Sequence, residues 1–322
     1  MDTFSFSESV AVRFPFSGVC DWCKESAQES RGGKLKKCTG CSVVRYCGKE
    51  CQVAAWPTHK YMCRLKSKDD AAQLGYPSAA SIASALRYWA TIHMWSLRTI
   101  TETNAHGRAG VDWYLKNQHA MVFVLSPRNP DAADPDNPAK AFQLEEGGMV
   151  RKDDRDFLRS QWDLIEKTCK TLTDSMRAKL ATEAERQAFA VFLPAAFHFK
   201  TTGLVSFHQY PIYRLREHGA GPSYEHAHNE ENCHCRLLDD IAQMCVESIN
   251  CGVVLRARGG DDNQPLPNVC FHSRTKKSWE CRRLNWEWDK VGVHAPSHFR
   301  SGLYPAEIYR RYHQLLPHRT YK

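Results

Sequence analysis

The sequence has no apolar stretch long enough to span a bilayer. Its best run, Phe189 to Phe199, is short and contains Pro194 and His198. The opening residues, MDTFSFSESV, lack the basic start and apolar core of a secretory signal. These absences predict an intracellular protein, nuclear or cytoplasmic, without a membrane partner. In such a reducing setting the 14 cysteines are not a disulfide scaffold, which leaves metal binding or buried free thiols. No internal repeat occurs. Charged residues at 25% and aromatics at 11% exclude a disordered or collagen-like chain. Also missing are a Gly-x-Ser-x-Gly elbow, a phosphate-binding Gly-Lys loop and an H-E-x-x-H helix, so no residue is assigned a catalytic role.

What is present is enough apolar sequence, 42% of 322 residues, for one large domain or two smaller ones. The formal net charge of +8 is uneven: +6 over residues 1–68, −5 over 69–272 and +7 over 273–322. Half the cysteines lie in the first 63 residues, and RLKSKDD at 64–70 closes that segment. We place a boundary there, giving a finger with an N-terminal extension over 1–70 and a larger domain over 71–322.

Four ligand pairs follow one another in the N-terminal segment. They are Cys20–Cys23, Cys38–Cys41, Cys47–Cys51 and His59–Cys63, spaced C-x2-C, C-x2-C, C-x3-C and H-x3-C. Seven cysteines and one histidine fill two tetrahedral zinc sites with none left over. A segment of this size has too small a core to fold alone, and metal binding supplies the missing free energy, roughly 10–16 kcal/mol per structural zinc in small peptides. Both sites would be complete with protein ligands. A catalytic zinc keeps a position open for water, so these two zinc ions are expected to be structural. Seven thiolates and two zinc ions would leave the segment at about +3, a weak basis for nucleic-acid binding.

Between the ligands stand Tyr46, Gln52, Trp56 and Lys60. With them, residues 20–63 resemble the MYND zinc finger closely. The one departure is a long polar spacer between Cys23 and Cys38. The resemblance implies interleaved ligands: Cys20, Cys23, Cys47 and Cys51 on one zinc, and Cys38, Cys41, His59 and Cys63 on the other. Spacing alone leaves a sequential pairing open. MYND fingers are similar in role to small protein-binding modules, some of which take a short proline-containing peptide as an added strand. That implies a protein partner and a recruitment role, as in transcriptional or chromatin regulation. Gln52 and Trp56, four apart on one helical face, would floor the peptide site if Trp56 is exposed. The alternative is that Trp56 packs beneath a helix end where Pro57 redirects the chain.

One MYND-bearing family consists of SET-type protein methyltransferases, the alternative reading for this chain. The nearest match to their asparagine-rich motif is HNEENCHC at 228–235, which lacks the Asn-His-Ser order and a preceding glycine-rich cofactor loop. His226, His228, Cys233 and Cys235 could offer a third metal site. Ordinary loop residues before a helix over 236–249 account for them better.

Residues 71–322 read as a mixed α+β domain of unknown topology. A helix is expected over 81–103, with Ile82, Leu86, Trp89, Leu97 and Ile100 on one face and His93 among them as a core histidine. A buried strand is expected over 119–126, then a long helix from about Asp153 whose stripe runs through Leu158, Trp162, Ile165 and Cys169. Thr182 and Glu185 suggest a capping box for a helix reaching about Phe192. Strands are expected over 203–216, with Pro211 at an edge or break, and over 251–259. A helix over 305–316 ends the pattern. Trp286 and Trp288 alternate as on a half-buried strand, and core packing explains them more cheaply than nucleic-acid stacking.

Overall fold

The structure, a computed structural model, describes residues 12–14, 20–23, 25, 33–39, 44–64, 72, 74–77, 79–107, 109–127, 136–202, 204–215, 227–257, 266–275, 279–291 and 299–316. Side chains at 12–14, 57–64, 79–80 and 227–234 are outside that description. The chain is α+β, with its finger ahead of the larger part.

A five-stranded mixed sheet carries the larger part. Its strands are β1 (Val12–Phe14), β4 (His119–Pro127), β5 (Phe142–Arg151), β6 (Phe189–Phe199) and β7 (Leu204–Tyr213), in the order β1-β7-β6-β4-β5. β1 runs parallel to β7 and β4 parallel to β6, while β6–β7 and β4–β5 are antiparallel. Residues 12–14, ahead of the finger, therefore complete the sheet built by residues beyond it.

Both faces of this sheet are covered, which explains the unbroken apolar run in β4. Ala120, Val122 and Val124 face one side, against Leu158, Trp162, Ile165 and Cys169. The last three belong to the helix Trp162–Lys179. Met121, Phe123 and Leu125 face the other side and join the main core with Leu86, Trp89, Phe197 and Ile241. The helices supplying that core are α2 (Ala79–Ile92), α3 (Met94–Ala105), α8 (Ala227–Cys251) and α9 (Pro305–Leu315); α1 (Lys49–Arg64) lies in the finger, and α4 to α7 are Val111–Lys116, Asp156–Arg159, Trp162–Lys179 and Glu183–Ala188. A second, antiparallel sheet stands in the order β10-β9-β8, from Trp279–Arg283, Asn268–Arg274 and Val253–Arg256.

Several elements differ from the sequence expectation for identifiable reasons. The helix over 81–103 is two helices that break at His93, whose Nε2 lies 2.8 Å from the Ala139 carbonyl oxygen. His93 is fully buried, as a core histidine should be. The long helix starts at Trp162, not near Asp153. The acids ahead of it pair with arginines instead, Asp153 with Arg151 at 2.9 Å and Asp156 with Arg159 at 3.2 Å. Thr182 and Glu185 do make the capping box, but α7 stops at Ala188 because Phe189 enters β6. Pro211 pairs with Phe192 on one side; on the other, β1 reaches only Leu204–Ser206, so the missing N–H has no ladder to break there. Residues 228–235 are not a loop, since α8 starts at Ala227. Trp288 lies in a short 3-10 turn, Trp288–Lys290, and not on a strand. It is core nonetheless: its Nε1–H donates to the Pro267 carbonyl at 2.9 Å and its ring meets Tyr309 at 4.9 Å. Trp286 stays about half exposed against it.

Candidate metal centre

The finger has almost no apolar core of its own. Cys20, Cys38, Val44, Tyr46 and Ala55 are its buried cluster, with Leu35, Cys47 and Cys51 packed around them. Its only sheet among the described residues joins β2 (Lys36–Lys37) to β3 (Arg45–Tyr46), in the register Lys36↔Tyr46 and Lys37↔Arg45. Three backbone bonds close the first ligand turn, join it to β3 and extend the β2–β3 pairing by one step. The N–H groups of Cys20, Asp21 and Cys38 donate to the carbonyls of Glu25, Arg45 and Val44, at 2.8, 2.8 and 2.9 Å.

This framework brings four sulfurs together. One ligand atom from each of Cys20, Cys23, Cys47 and Cys51 lies within 4.8 Å of the other three. Cys20 and Cys23 come from the first turn, Cys47 from the end of the hairpin and Cys51 from the first turn of α1. Tetrahedral Zn–S bonds of about 2.3 Å would place sulfurs about 3.8 Å apart, so the tetrad fits a zinc ion. These are the four residues that the MYND resemblance assigns to one ion. They are not the set that a sequential pairing would gather.

The electrostatics suit a cation. Burial works to raise the Cys20 pKa, but hydrogen bonding from the backbones of Cys23, Cys47 and Trp22 outweighs it and lowers the thiol to about 7. The Cys47 N–H donates to Cys20 Sγ at 3.4 Å. Around that favoured thiolate the other sulfurs resist ionisation. Burial and the neighbouring sulfurs Cys20 and Cys23 push Cys51 up to about 11 and Cys47 higher still. A divalent cation removes this mutual repulsion and releases the protons.

Of the second ligand set, Cys38 is buried, and the Gln52 side-chain amide reaches its sulfur at 3.9 Å. Cys41 lies outside the described residues. His59 and Cys63 are on α1, with their side chains outside that description. Position 59 is eight residues beyond Cys51 along this helix, about 12 Å at the usual rise, so it cannot join the first tetrad. The helix also continues through Pro57, which therefore does not end it.

Gln52 and Trp56 are both half-buried on α1. Two exposed apolar side chains of the finger were not singled out from the sequence. Trp22, 51% exposed, sits between the ligands Cys20 and Cys23, and Val53, 61% exposed, follows Gln52. The signal for Trp22 was available, because a short ligand turn leaves little room beneath it for an indole. Of the third candidate site, His226 lies outside the described residues, and positions 228, 233 and 235 are helical. Positions two apart on a helix do not share a side, so 233 and 235 make a poor pair for one ion.

Among the described residues, no helix is long and apolar enough to cross a membrane. No solved structure matches the chain. The family model for the MYND finger matches residues 20–63. A SET and MYND domain-containing protein of Dictyostelium discoideum is 42% identical over 50 residues, 15% of this chain and 9% of that protein. The human histone-lysine N-methyltransferase SMYD3 is 44% identical over 50 residues, 15% of this chain and 10% of that protein. The chain thus spans about a tenth of the length of the curated relatives it matches. Residues 20–63 are a zinc-binding MYND finger, a protein-interaction module.

Proposed function

We propose that the finger holds two structural zinc ions and recruits a protein partner to the α+β domain formed by residues 71–322. The observation that supports this most is the closed set of four cysteines. An ion there has no open position for water, which favours a scaffold over a catalyst. A short proline-containing peptide is the proposed ligand, docked beside the outer strand β2 with Gln52 and Trp56 beneath it. Trp22 and Val53 widen the apolar surface on offer. The setting that suits such recruitment is transcriptional or chromatin regulation inside the cell. No residue of 71–322 is given a catalytic role.

Calorimetry with proline-containing peptides tests the surface. Trp56→Ala should weaken binding tenfold or more, while native mass still shows two zincs. Unchanged affinity would move the ligand elsewhere. The same recruitment should fail in His59→Ala, with the second zinc lost. A methyltransferase reading has the names of the relatives in its favour, confined to the finger segment. Stabilisation of the full chain by S-adenosylmethionine would support it, and an unshifted melting temperature would count against it.

A further inference from the structure

A second group of sulfur chemistry lies far along the chain, on the small sheet. In the β9–β10 ladder Cys281 pairs with His272, and Arg283 with Cys270. Alternate residues of a strand share a face, so Cys270, His272, Cys281 and Arg283 all stand on one side of this hairpin. Cys270 is buried against Ile92, Ala139 and Val254, whereas Cys281 is exposed on the outer strand. The two cysteines are diagonal neighbours on that face, near enough for the Cys281 sulfur to act on the Cys270 thiol. His272 is 7% exposed, and neither ring nitrogen has a hydrogen-bond partner among the described residues. Tyr88 touches its ring edge-on at 6.4 Å, and its backbone carbonyl accepts from Asn137 at 3.3 Å.

An unpartnered imidazole this buried is costly unless it serves something. Burial and the nearby Arg256 lower its pKa, so it is neutral and able to take a proton. Directly opposed residues of an antiparallel pair have Cβ atoms about 5 Å apart, so Cys281 faces His272 across the ladder, and a side-chain rotation would bring its thiol onto a ring nitrogen. Burial and the Cys281 sulfur push Cys270 up to about 11, and the cations Arg256 and Arg283 work against this. Thus one thiol meets solvent beside a base, and its neighbour is held back as a protonated thiol.

We propose that Cys281 and Cys270 form an oxidant-reactive dithiol, with hydrogen peroxide as the oxidant and His272 as the base. His272 takes the Cys281 proton as the sulfur attacks a peroxide oxygen. An S–O bond forms, the O–O bond breaks, and the leaving hydroxide recovers the proton as water. The Cys270 sulfur then attacks the resulting sulfenic acid. An S–S bond forms, the S–O bond breaks, and hydroxide leaves with the Cys270 proton as a second water. The dithiol loses two electrons and the peroxide gains them. Diagonal neighbours lie about 7–8 Å apart between Cα atoms, at the limit for a disulfide, so the edge strand β10 must draw inward. That makes the bond readily reversible by thiols, as expected of a transient disulfide in a reducing compartment.

The test treats the zinc-loaded full chain with hydrogen peroxide, caps free thiols and digests with trypsin. Cys270 falls in peptide 259–274 and Cys281 in peptide 278–282. The expected product is these two peptides joined, two hydrogens lighter than their sum, and lost on treatment with dithiothreitol. In Cys270→Ser the joined species should vanish and a sulfenic acid probe should label Cys281. His272→Gln should slow joining at least about tenfold, and an unchanged rate overturns the assignment of the base. Exposed Cys251 serves as the comparison thiol. Oxidation of Cys281 no faster than Cys251, or its passage to sulfinic acid with Cys270 still capped, overturns the dithiol.

Discussion

Cys23 and Cys47 come from turns 24 residues apart, yet their Sγ atoms lie 3.4 Å apart. Two sulfurs approach this closely without bonding only when something holds them, and here it is the hairpin from Lys36 to Tyr46 with the turns bonded to it. An ion between them fixes the first turn to the start of α1. Metal and fold are then one equilibrium.

Zinc removal should therefore melt the finger and spare the larger sheet. Cys20→Ser should lower the native mass by one zinc and collapse amide protection around Tyr46. The loss is of the size of a structural zinc, roughly 10–16 kcal/mol in small peptides. The main core rests on none of these sulfurs, so its urea midpoint should barely move.

The clustered ligands Cys20, Cys23, Cys47 and Cys51 could be picked out in the sequence because their chemistry is local. Cysteine and histidine at fixed short spacings need no knowledge of distant contacts. The Thr182–Glu185 box was legible for the same reason. The break at His93 was not, because the Ala139 carbonyl that accompanies it lies 46 residues away. The run from Phe189 to Phe199 is apolar on both faces, and periodicity cannot tell such a strand from buried helix. The parallel pairings of β1 with β7 and β4 with β6 leave no local trace, since each joins segments separated by long stretches of chain.

Trp89 should be the most sensitive single site in the main core. It is fully buried, with Phe142 at 5.8 Å and Phe197 at 6.1 Å between ring centroids, both edge to face. Trp89→Ala should cost about 3–5 kcal/mol in urea unfolding. Its indole N–H has no hydrogen-bond partner among the described residues. Trp89→Phe removes that unsatisfied donor along with some volume, so its cost should be well under half as large.

Acid should destabilise the chain from near-neutral pH downward. Burial lowers His93 and His198 to about 4; the Ala139 carbonyl works against this at His93 while the charge of Arg256 adds to it, and the charge of Arg155 adds to it at His198. The unfolded chain binds these protons near pH 6.5 and the folded chain does not. Stability from both residues is complete above about pH 6.5 and is lost as pH falls towards 4, by about 3 kcal/mol each. Urea titrations should show a proton uptake from this pair on unfolding that rises from about one at pH 6.5 to nearly two at pH 5. In His198→Phe, which keeps an aromatic ring against Phe157, the uptake at pH 5 should drop by about one. A pH-independent midpoint across that range would contradict the burial of both rings.

A chain shortened to residues 71–322 keeps the helices and the long strands β4 to β7 of the larger domain but loses β1. Val12, Arg13 and Phe14 pair with Leu204, Val205 and Ser206, so the shortened chain leaves the outer edge of β7 open there. At about 0.5–1.5 kcal/mol for each hydrogen bond, a three-residue parallel pairing should contribute about 1–3 kcal/mol. Hydrogen exchange should quicken at residues 204–206 relative to the full chain, while β4 and β6, paired on both sides in the sheet, keep their protection. The exposed edge should also favour self-association, visible as concentration-dependent sedimentation. Equal exchange in the two chains would place the boundary of the larger domain at residue 71 and detach β1 from it. Faster exchange at β7 would make the finger an insertion, with one strand of the larger domain ahead of it and the rest behind.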